Sequence, residues 1–307
     1  MKGFLLKKVF EIVLVLFIVS SVVFVLVFIA GDPVALMLPD GATQQDIDAL
    51  RTALGLNDPF IVQYFRYLSD LLQGSFGESW RYNAGALPIV LERLPATFEL
   101  AFYSLLVAIF ISIPLGIWSA TKRNSIIDIF ITGGSVLGKA MPNFWLGIML
   151  ILFFSVTYQI FPVSGRGSFA HIVLPAITMG TGMASEMTRL LRSKMIEILS
   201  QDYIRTAKSK GLKKYVVIYK HALKNGLNPV ITILALQTST VIGGALITET
   251  VFAWPGLGQL LVQAVYQRDM AIVQAAVFVV AFLVIIMNLL ADIIYRVIDP
   301  TIKYSRE

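Results

Sequence analysis

The sequence contains no cysteine, only two histidines and few charged residues, and each scarcity excludes a class of protein. Without a thiol, the chain has no disulfide framework, cysteine nucleophile or thiolate metal site. Charged residues make up only 14% of the chain, 57% of residues are hydrophobic, and the mean hydropathy is +0.77. Water-soluble domains carry about 25% charged residues. The composition therefore predicts an integral membrane protein.

Catalytic motifs are also missing. The histidines, His171 and His221, flank predicted membrane ends on opposite faces, and Ser164 has no histidine to activate it. No HExxH pattern occurs, so intramembrane serine or metal-dependent proteolysis is not indicated. No GxxxxGK[ST] loop occurs either, so the chain has no P-loop nucleotide site of its own. We predict a non-catalytic protein without a metal site or cofactor, in which any nucleotide energy comes from another subunit.

Six apolar stretches are long enough to cross a bilayer, which takes roughly 20 helical residues. They are Val9–Ala30, Leu100–Ala120, Ala140–Gln159, Ile172–Leu191, Val230–Thr250 and Ala275–Val297. The first follows Lys2, Lys7 and Lys8, as in a signal peptide, but it lacks a small-residue cleavage pattern and fits an uncleaved anchor better. We predict an all-α membrane protein with six transmembrane helices.

The distribution of lysine and arginine predicts the orientation. The insertion at residues 193–228 is strongly basic, whereas the segment Gly31–Leu94 is rich in aspartate and glutamate. By the positive-inside rule, this insertion, the loop Thr121–Asp128 and both termini are expected to be cytoplasmic. The net charge of +6 is then a signal of topology and gives little weight to nucleic-acid binding.

The outer segment, residues 31–96, is predicted to form a small extracytoplasmic helical cap. Capping residues and helix stops indicate two helices. The expected boundaries are Thr43, with Asp46 at the third position, and Gly55 for the first helix, and Asp58, Pro59 and Gly74 for the second. Two interpretations stay open, a packing lid over the bundle or a docking surface for an external partner.

Charged residues inside the predicted spans need a reason, because a charge at the bilayer centre costs about 2.5–3.5 kcal/mol. Lys139, Glu186 and Asp292 fall near the cytoplasmic third or end of their spans. Snorkelling, or a partner such as Arg189 or Arg296, suffices there. We interpret these charges as structural.

The longest polar interruption in any span is Gln237–Thr240, with Glu249 near the outer end of the same span. A cavity-facing stripe is favoured over hydrogen bonding between helices. Glycines and prolines inside the spans permit kinks and close helix approach. They are Pro114, Gly116, Pro142, Gly147, Gly180, Gly182, Gly243 and Gly244.

The basic insertion contains a predicted helical hairpin, Ser200–Pro229. Ser200 is expected to cap a short helix with Asp202 in its first turn. Lys208 and Lys210 lie in the last turn, and Gly211 is the expected stop. A compact helix outside the membrane indicates a docking element.

One face of this short helix carries Tyr203, Ile204 and Ala207, and Ala207 is small enough to let the helix enter a groove on another protein. A second helix, Lys213–Lys224, leads into the fifth span. We therefore expect a push on the first helix to reach the bundle through a short, stiff connection.

DYIRTAKSKGL at 202–212 and HALKNGLNPVIT at 221–232 together resemble the cytoplasmic signature of permease subunits in binding-protein-dependent ABC importers, specifically the oligopeptide, dipeptide and nickel branch. The superfamily signature reads EAA, three residues, then Gly. Here Arg205, Thr206 and Ala207 stand in the EAA places and Gly211 in the Gly place. The Ile-x-Leu-Pro that usually follows is represented by residues 221–224, and both departures are similar to those of the peptide branch.

Further motifs extend the resemblance, to the first of the two permeases, over nearly the whole chain. They are GDPV at 31–34, LGLNDPFIVQYFRYL at 54–68, GSFGES at 74–79, LPATFELA at 94–101, IPLGIWSA at 113–120, MPNFWLG at 141–147 and FAWPGLGQL at 252–260. The implied architecture is a type I permease fold, with an N-terminus and first span at 1–30, the outer segment at 31–96 and a five-helix core at 97–307.

The resemblance implies a heterodimer with a second permease, two cytoplasmic ATPases that bind ATP and magnesium, and an external solute-binding protein. It also implies a multi-pass protein of a bacterial or archaeal cytoplasmic membrane. The helix at 201–210 is then expected in an ATPase cleft. The implied coupling residues are Asp202, Tyr203, Arg205, Thr206, Ala207, Lys210 and Gly211.

The implied function is the permease subunit of an ATP-driven importer of di- and oligopeptides. Candidate pathway residues are Asn143, Trp145, Gln237, Glu249 and Trp254. Chelated nickel or a peptide-like solute such as glutathione is the alternative cargo. An ion-coupled secondary transporter is the alternative class, but neither relay residues at mid-membrane nor an internal repeat is clear. A purely structural subunit would not require the capped hairpin.

Overall fold

A computed structural model describes residues 2–30, 34–38 and 42–298 of the chain. The first three residues of the GDPV motif and the tail from residue 299 lie outside these residues, as do the side chains of Lys2, Lys7 and Arg296. The described chain is mainly helical. Its early elements are α1 (Lys2–Ala30), α2 (Val34–Met37), α3 (Gln44–Ala53), α4 (Phe60–Leu72), β1 (Glu78–Ser79), β2 (Ala84–Gly85) and α5 (Ala86–Thr121).

The later elements are also helical, and two segments are π-helical, with hydrogen bonds from residue i to i+5. They are α6 (Ile126–Ala140), α7 (Asn143–Leu150), a first π segment (Ile151–Thr157), α8 (Phe169–Leu199), α9 (Asp202–Ser209), a second π segment (Val216–Ala222), α10 (Leu223–Gly226), α11 (Asn228–Val251), α12 (Leu257–Gln267) and α13 (Met270–Ile298).

The predicted capping of α3 is confirmed. The hydroxyl and the backbone N–H of Thr43 both donate to the Asp46 carboxylate, at 2.7 and 3.0 Å. These two bonds hold the pKa of the Asp46 carboxyl below its usual range. The chain leaves the helix through Gly55, whose φ of +67° is the left-handed conformation that glycine adopts readily.

The predicted cap of α4 is wrong. Pro59 occupies the N-cap position, and no side chain caps the helix. The Asp58 carboxylate instead accepts a hydrogen bond of 2.6 Å from Arg66, because α4 brings that guanidinium back towards the chain that enters it. The expected stop is confirmed, since α4 ends just before Gly74, with a φ of +76°.

The chain divides into two compact units. The first contains the described residues as far as Ala96 together with Pro255–Ile285. Its core buries Ala86 and Val90 from the start of α5, Leu257 from α12 and Ile272 from α13. The helix α12 was not predicted, because its 11 residues are too few to form a membrane span. The two-stranded hairpin β1–β2 was also missed, because two residues per strand are too few for an alternating pattern.

The second unit contains Thr97–Trp254 and the described residues from Ile286 onwards. Within it, α8 buries Leu174, Met187 and Leu191. Close helix approach is confirmed at Gly116 and Gly180. A Cβ at Gly116 would lie 2.9 Å from the Leu191 side chain, and one at Gly180 would lie 2.9 Å from the Ser104 carbonyl oxygen. Among the described residues, no atom lies within 4 Å of the Cβ positions of Gly243 and Gly244.

Four of the described helices are long and apolar enough to cross a membrane, namely α1, α5, α11 and α13. A fifth span results if α6 and the α7–Thr157 stretch are counted together, although these halves meet at 105°. The predicted third span, Ala140–Gln159, starts at this bend, because α6 ends at Ala140 and α7 begins at Asn143. Pro142 has no N–H to continue the helix and becomes the N-cap of α7.

The fourth predicted span lies inside α8, which is long enough to cross a membrane. It is not among the apolar spans, because its second half carries several charges, including Glu186, Arg189 and Arg192. The described chain thus has four or five apolar spans, against the six expected.

Candidate coupling and translocation sites

The predicted short helix of the hairpin exists as α9. Gln201 is its N-cap, whereas Ser200, the predicted cap, is the C-cap of α8. The reason is that α8 continues as far as Leu199, so the Ser200 hydroxyl donates back to the Glu197 carbonyl at 2.7 Å. Gly211 has a φ of +76°, which agrees with its predicted role as the stop.

Ala207 lies on the inner face of α9. Ile204 and Ala207 are both buried within this chain, where α9 packs against the second π segment. The expectation that Ala207 enters a groove on another protein is therefore wrong for this arrangement. Tyr203 is partly exposed, and its hydroxyl accepts a hydrogen bond of 2.9 Å from Asn225.

The outer face of α9 carries most of the polar coupling candidates. Asp202, Arg205, Thr206 and Lys210 are all exposed. The Arg205–Asp202 ion pair spans 3.4 Å and is open to solvent, so it contributes little to stability and both charges are available to a partner. The face open for docking is therefore this polar surface and the exposed part of Tyr203.

The hairpin returns to the membrane helices along α8. The predicted second helix, Lys213–Lys224, is confirmed in position but is π-helical over most of its length. Only Leu227 separates α10 from α11. Gly226 packs so closely on Met195 that a Cβ there would lie 2.9 Å from the Met195 sulfur.

A buried ion pair joins the start of α6 to the C-terminal half of α8. The Arg192 guanidinium donates two hydrogen bonds of 2.7 Å to the Asp128 carboxylate. Ser119 and the Asn124 N–H donate to the same group, which is only 4% exposed as a residue. Sequence analysis missed this pair. Ser125, three residues before Asp128, was the available signal, since it caps α6 in the manner of Thr43 and Asp46.

A second polar cluster joins α6, α8 and α11. Lys139 Nζ lies 2.8 Å from Glu186 Oε2, and Gln237 Nε2 donates to the same oxygen at 3.3 Å. The partner of Glu186 is thus Lys139, and the suggested Arg189 is exposed instead. Asn143 contacts α8 one turn before Glu186, since its Oδ1 lies 3.9 Å from the Cβ position of Gly182.

The predicted polar stripe on α11 does not face one cavity. Gln237 bonds to another helix, whereas the hydroxyls of Thr238 and Ser239 donate to carbonyls of their own helix. Ser239 is buried and Thr240 is exposed. The helix periodicity distributes four successive residues around the axis, so they cannot line a single surface.

The structure separates the remaining pathway candidates. Trp145 is 45% exposed on α7, but Glu249 and Trp254 are buried, so neither lines an open surface here. Thr97 donates to Glu249 at 2.7 Å. The backbone N–H of Trp254 donates to the backbone carbonyl of Glu249 at 2.8 Å. The Arg166 guanidinium lies 5.8 Å from the centre of the Trp254 ring.

Comparison with known proteins gives the family. The model of the binding-protein-dependent transport system inner membrane component matches residues 112–304, and its N-terminal companion matches residues 1–101. The chain belongs to this family. It is a permease-type membrane component, and the α9 hairpin and the α6–α8–α11 cluster are therefore features of a transport protein.

Two relatives are similar over most of their length. The chain is 41% identical to the oligopeptide transport system permease protein AppB of Bacillus subtilis, covering 89% of this chain and 90% of the relative. It is 37% identical to the dipeptide transport system permease protein DppB of Escherichia coli K12, covering 91% of each. A chain of the MetNI methionine ABC transporter, in an inward-facing structure, matches with a TM-score of 0.57 at 20% identity. That match covers 69% of this chain and 96% of the other, and it supports the type I permease fold.

Proposed function

We propose that this permease carries peptides across the membrane as one subunit of an ATP-driven importer. The observation that carries the proposal is the similarity, over about nine-tenths of each chain, to one oligopeptide and one dipeptide permease. Both relatives are named for peptides, which favours peptides over chelated nickel or glutathione.

The proposed assembly contains a second permease, two cytoplasmic ATPases that hold ATP and magnesium, and an external binding protein. We place α8 in the membrane as the sixth span. With six spans, both termini and α9 lie in the cytoplasm, as the basic hairpin supports. The protein then resides in the cytoplasmic membrane of a bacterium or archaeon.

In this assembly, α9 rests in a cleft of an ATPase subunit and conveys its movement to α8 and α11. The contacts that support this role are the exposed Arg205, Thr206 and Lys210, together with the buried anchors Ile204 and Ala207. The anchors hold α9 on the bundle, so closure of the ATPase pair moves the helices together.

Uptake by a strain from which the native gene is deleted tests the cargo. The complemented strain should take up labelled di- and oligopeptides, and far less chelated nickel or glutathione. Uptake should persist when an ionophore collapses the proton gradient and should stop when ATP is depleted. Uptake that follows the proton gradient would support the secondary transporter instead, and uptake of nickel chelate alone would overturn the peptide assignment.

Charge reversal on α9 tests the coupling surface. Arg205→Glu should lower peptide uptake and ATPase co-purification roughly tenfold, the effect of losing about 1.4 kcal/mol of binding energy. Lys213→Glu is the matched control, because it reverses an exposed charge in the same hairpin outside α9. Equal effects of both changes would show that only the overall charge of the hairpin matters.

A further inference from the structure

We propose that the Lys139–Glu186 ion pair is a binding site for the charged ends of a peptide in transit. The ammonium group of the peptide takes the place of Lys139 at Glu186, and its carboxylate takes the place of Glu186 at Lys139. No covalent bond changes. The inference rests on the proposed function, since it requires a cargo with free termini.

The cluster lies far from the ends of its three helices. Each of the three helices brings its cluster residue well inside the bundle, with Lys139 and Glu186 about 20 Å along the axis from Ile126 and Leu199 respectively. Gln237 lies about 14 Å along α11 from Asn228. The Asp128–Arg192 pair shows that the start of α6 lies near the end of α8. With these helix ends placed at the cytoplasmic surface of a hydrocarbon core about 30 Å thick, the cluster lies within the core and deeper than the cytoplasmic third expected for Lys139 and Glu186.

The two charged side chains of the cluster are also exposed. The side chains of Lys139 and Glu186 are 55% and 36% exposed within this chain. Charges at mid-membrane do not face lipid without a large cost, and they face a bundle interior or a water-filled cavity instead. The surface that carries this pair is therefore on the transport pathway side of the chain.

An ion pair that faces a water-filled cavity can open at little cost. Such a pair contributes little net free energy, because water in the cavity solvates both charges when they separate. Glu186 also keeps the hydrogen bond of 3.3 Å from Gln237 when Lys139 moves away. A pair of this kind can exchange partners with a passing zwitterion, whereas the buried Asp128–Arg192 pair cannot.

The polar groups near the pair are uncharged. They are the amide of Gln237, which bonds to Glu186, and that of Asn143, one turn away along α8, and amides donate and accept hydrogen bonds. Amides suit the peptide bonds between the two termini, which are the same in every peptide. The site therefore recognises features common to all short peptides and is indifferent to their side chains.

The test compares three labelled substrates in the complete transporter, namely an alanine dipeptide, its C-terminal amide and its N-acetyl form. The binding protein is the same throughout, so its selectivity cancels when each variant is compared with wild type on one substrate. Lys139→Gln should lower uptake of the dipeptide roughly tenfold but of the amide less than about twofold, since the amide has no carboxylate to lose a partner. Glu186→Gln should show the same pattern with the N-acetyl peptide.

Arg189→Gln is the matched control, because it removes an exposed charge from α8 outside the cluster, and it should show no such selectivity. If Lys139→Gln and Glu186→Gln lower the uptake of all three substrates by the same factor, or leave it unchanged, the ion pair has only a structural role and the inference fails. If the wild type takes up no peptide at all, the proposed function fails instead.

A charge-swapped double variant, Lys139→Glu with Glu186→Lys, decides the matter if the wild type refuses both modified peptides. The swap restores an ion pair of reversed polarity between α6 and α8. If the pair has only a structural role, dipeptide uptake should therefore recover. A binding site predicts that uptake stays at least about fivefold below wild type, because the charges that meet the arriving peptide are reversed. Assembly of each variant is checked by co-purification of the ATPases.

Discussion

Two ion pairs join the same two helices, α6 and α8, and they differ in almost every physical respect. Asp128 and Arg192 form two parallel hydrogen bonds, and the carboxylate is buried and receives further donors. Lys139 and Glu186 make one contact, and both side chains are substantially exposed. The two pairs are about 16 Å apart along α6.

This difference distinguishes an ion pair that holds two helices together from one whose charges are accessible to a ligand. A carboxylate that is enclosed by donors cannot lose one without leaving a buried charge unpaired, so the Asp128–Arg192 pair fixes the helices next to the hairpin. A solvent-exposed pair has no such penalty. A basic and an acidic residue therefore form a structural pair where they are buried and an accessible pair where they are exposed.

Breaking the buried pair should have the largest effect on stability. Arg192→Met should lower the free energy of unfolding in detergent micelles by about 3–5 kcal/mol, because Asp128 stays buried without its cation. Arg189→Met, on the same helix but exposed, is the control and should change it by less than about 0.5 kcal/mol. Similar losses in both variants would remove the distinction between buried and exposed charge.

Forcing α6 and α8 apart next to the exposed pair should have the next largest effect. A Cβ at Gly138 would lie 2.5 Å from the Ser185 hydroxyl and 3.3 Å from Thr181. Gly138→Val should therefore cost about 1–3 kcal/mol by overpacking. Gly134→Val is the control on the same helix, since no atom lies within 4 Å of its Cβ position. Equal thermal unfolding midpoints for the two variants would contradict the close approach.

Removing one donor from the buried pair should have a smaller effect. Ser119→Ala leaves the Arg192 bonds intact and should cost about 1 kcal/mol, the net contribution of a typical hydrogen bond. Ser112→Ala is the control on the same helix α5, because its buried hydroxyl has no hydrogen-bond partner among the residues described. Chemical denaturation should show the Ser112 variant to be as stable as wild type or more so.

Opening the exposed pair should have the smallest effect on stability. Lys139→Gln should change the free energy of unfolding by less than about 1 kcal/mol, although it lowers dipeptide uptake strongly. The two measurements on one purified variant sharpen the comparison. A loss of stability as large as that of Arg192→Met would make both pairs structural.

Local signals predicted local structure well. Thr43 with Asp46 predicted the start of α3, and Gly74 and Gly211 predicted helix stops that the backbone angles confirm. These features depend on residues within one turn of each other, so the sequence contains the whole interaction. The assignment of Asp58 as a cap failed because Arg66, on another turn, competes for the same carboxylate.

Pairings between distant segments could not be predicted in the same way. Lys139 and Glu186 meet only because the chain bends at Met141 and returns through α8, and apolar run length carries no information about such a bend. The predicted span Ile172–Leu191 lies inside α8, but run length did not indicate that the charges of this helix pair with α6, as Glu186 does with Lys139 and Arg192 with Asp128. Asn143 and Gln237 were predicted as pathway residues from polarity alone, but Glu249 and Trp254 show that polarity does not distinguish an open surface from a buried one.

The second π segment, Val216–Ala222, gives the hairpin one residue more per turn than an α-helix would have, without a loop. If that residue were passed along the chain as the turn tightened to α-helical geometry, the helices beyond it would rotate by about 100° and shift by about 1.5 Å. These helices are α10 and α11, and α11 carries Gln237, so a displacement of the π turn would change both the depth and the direction of that side chain.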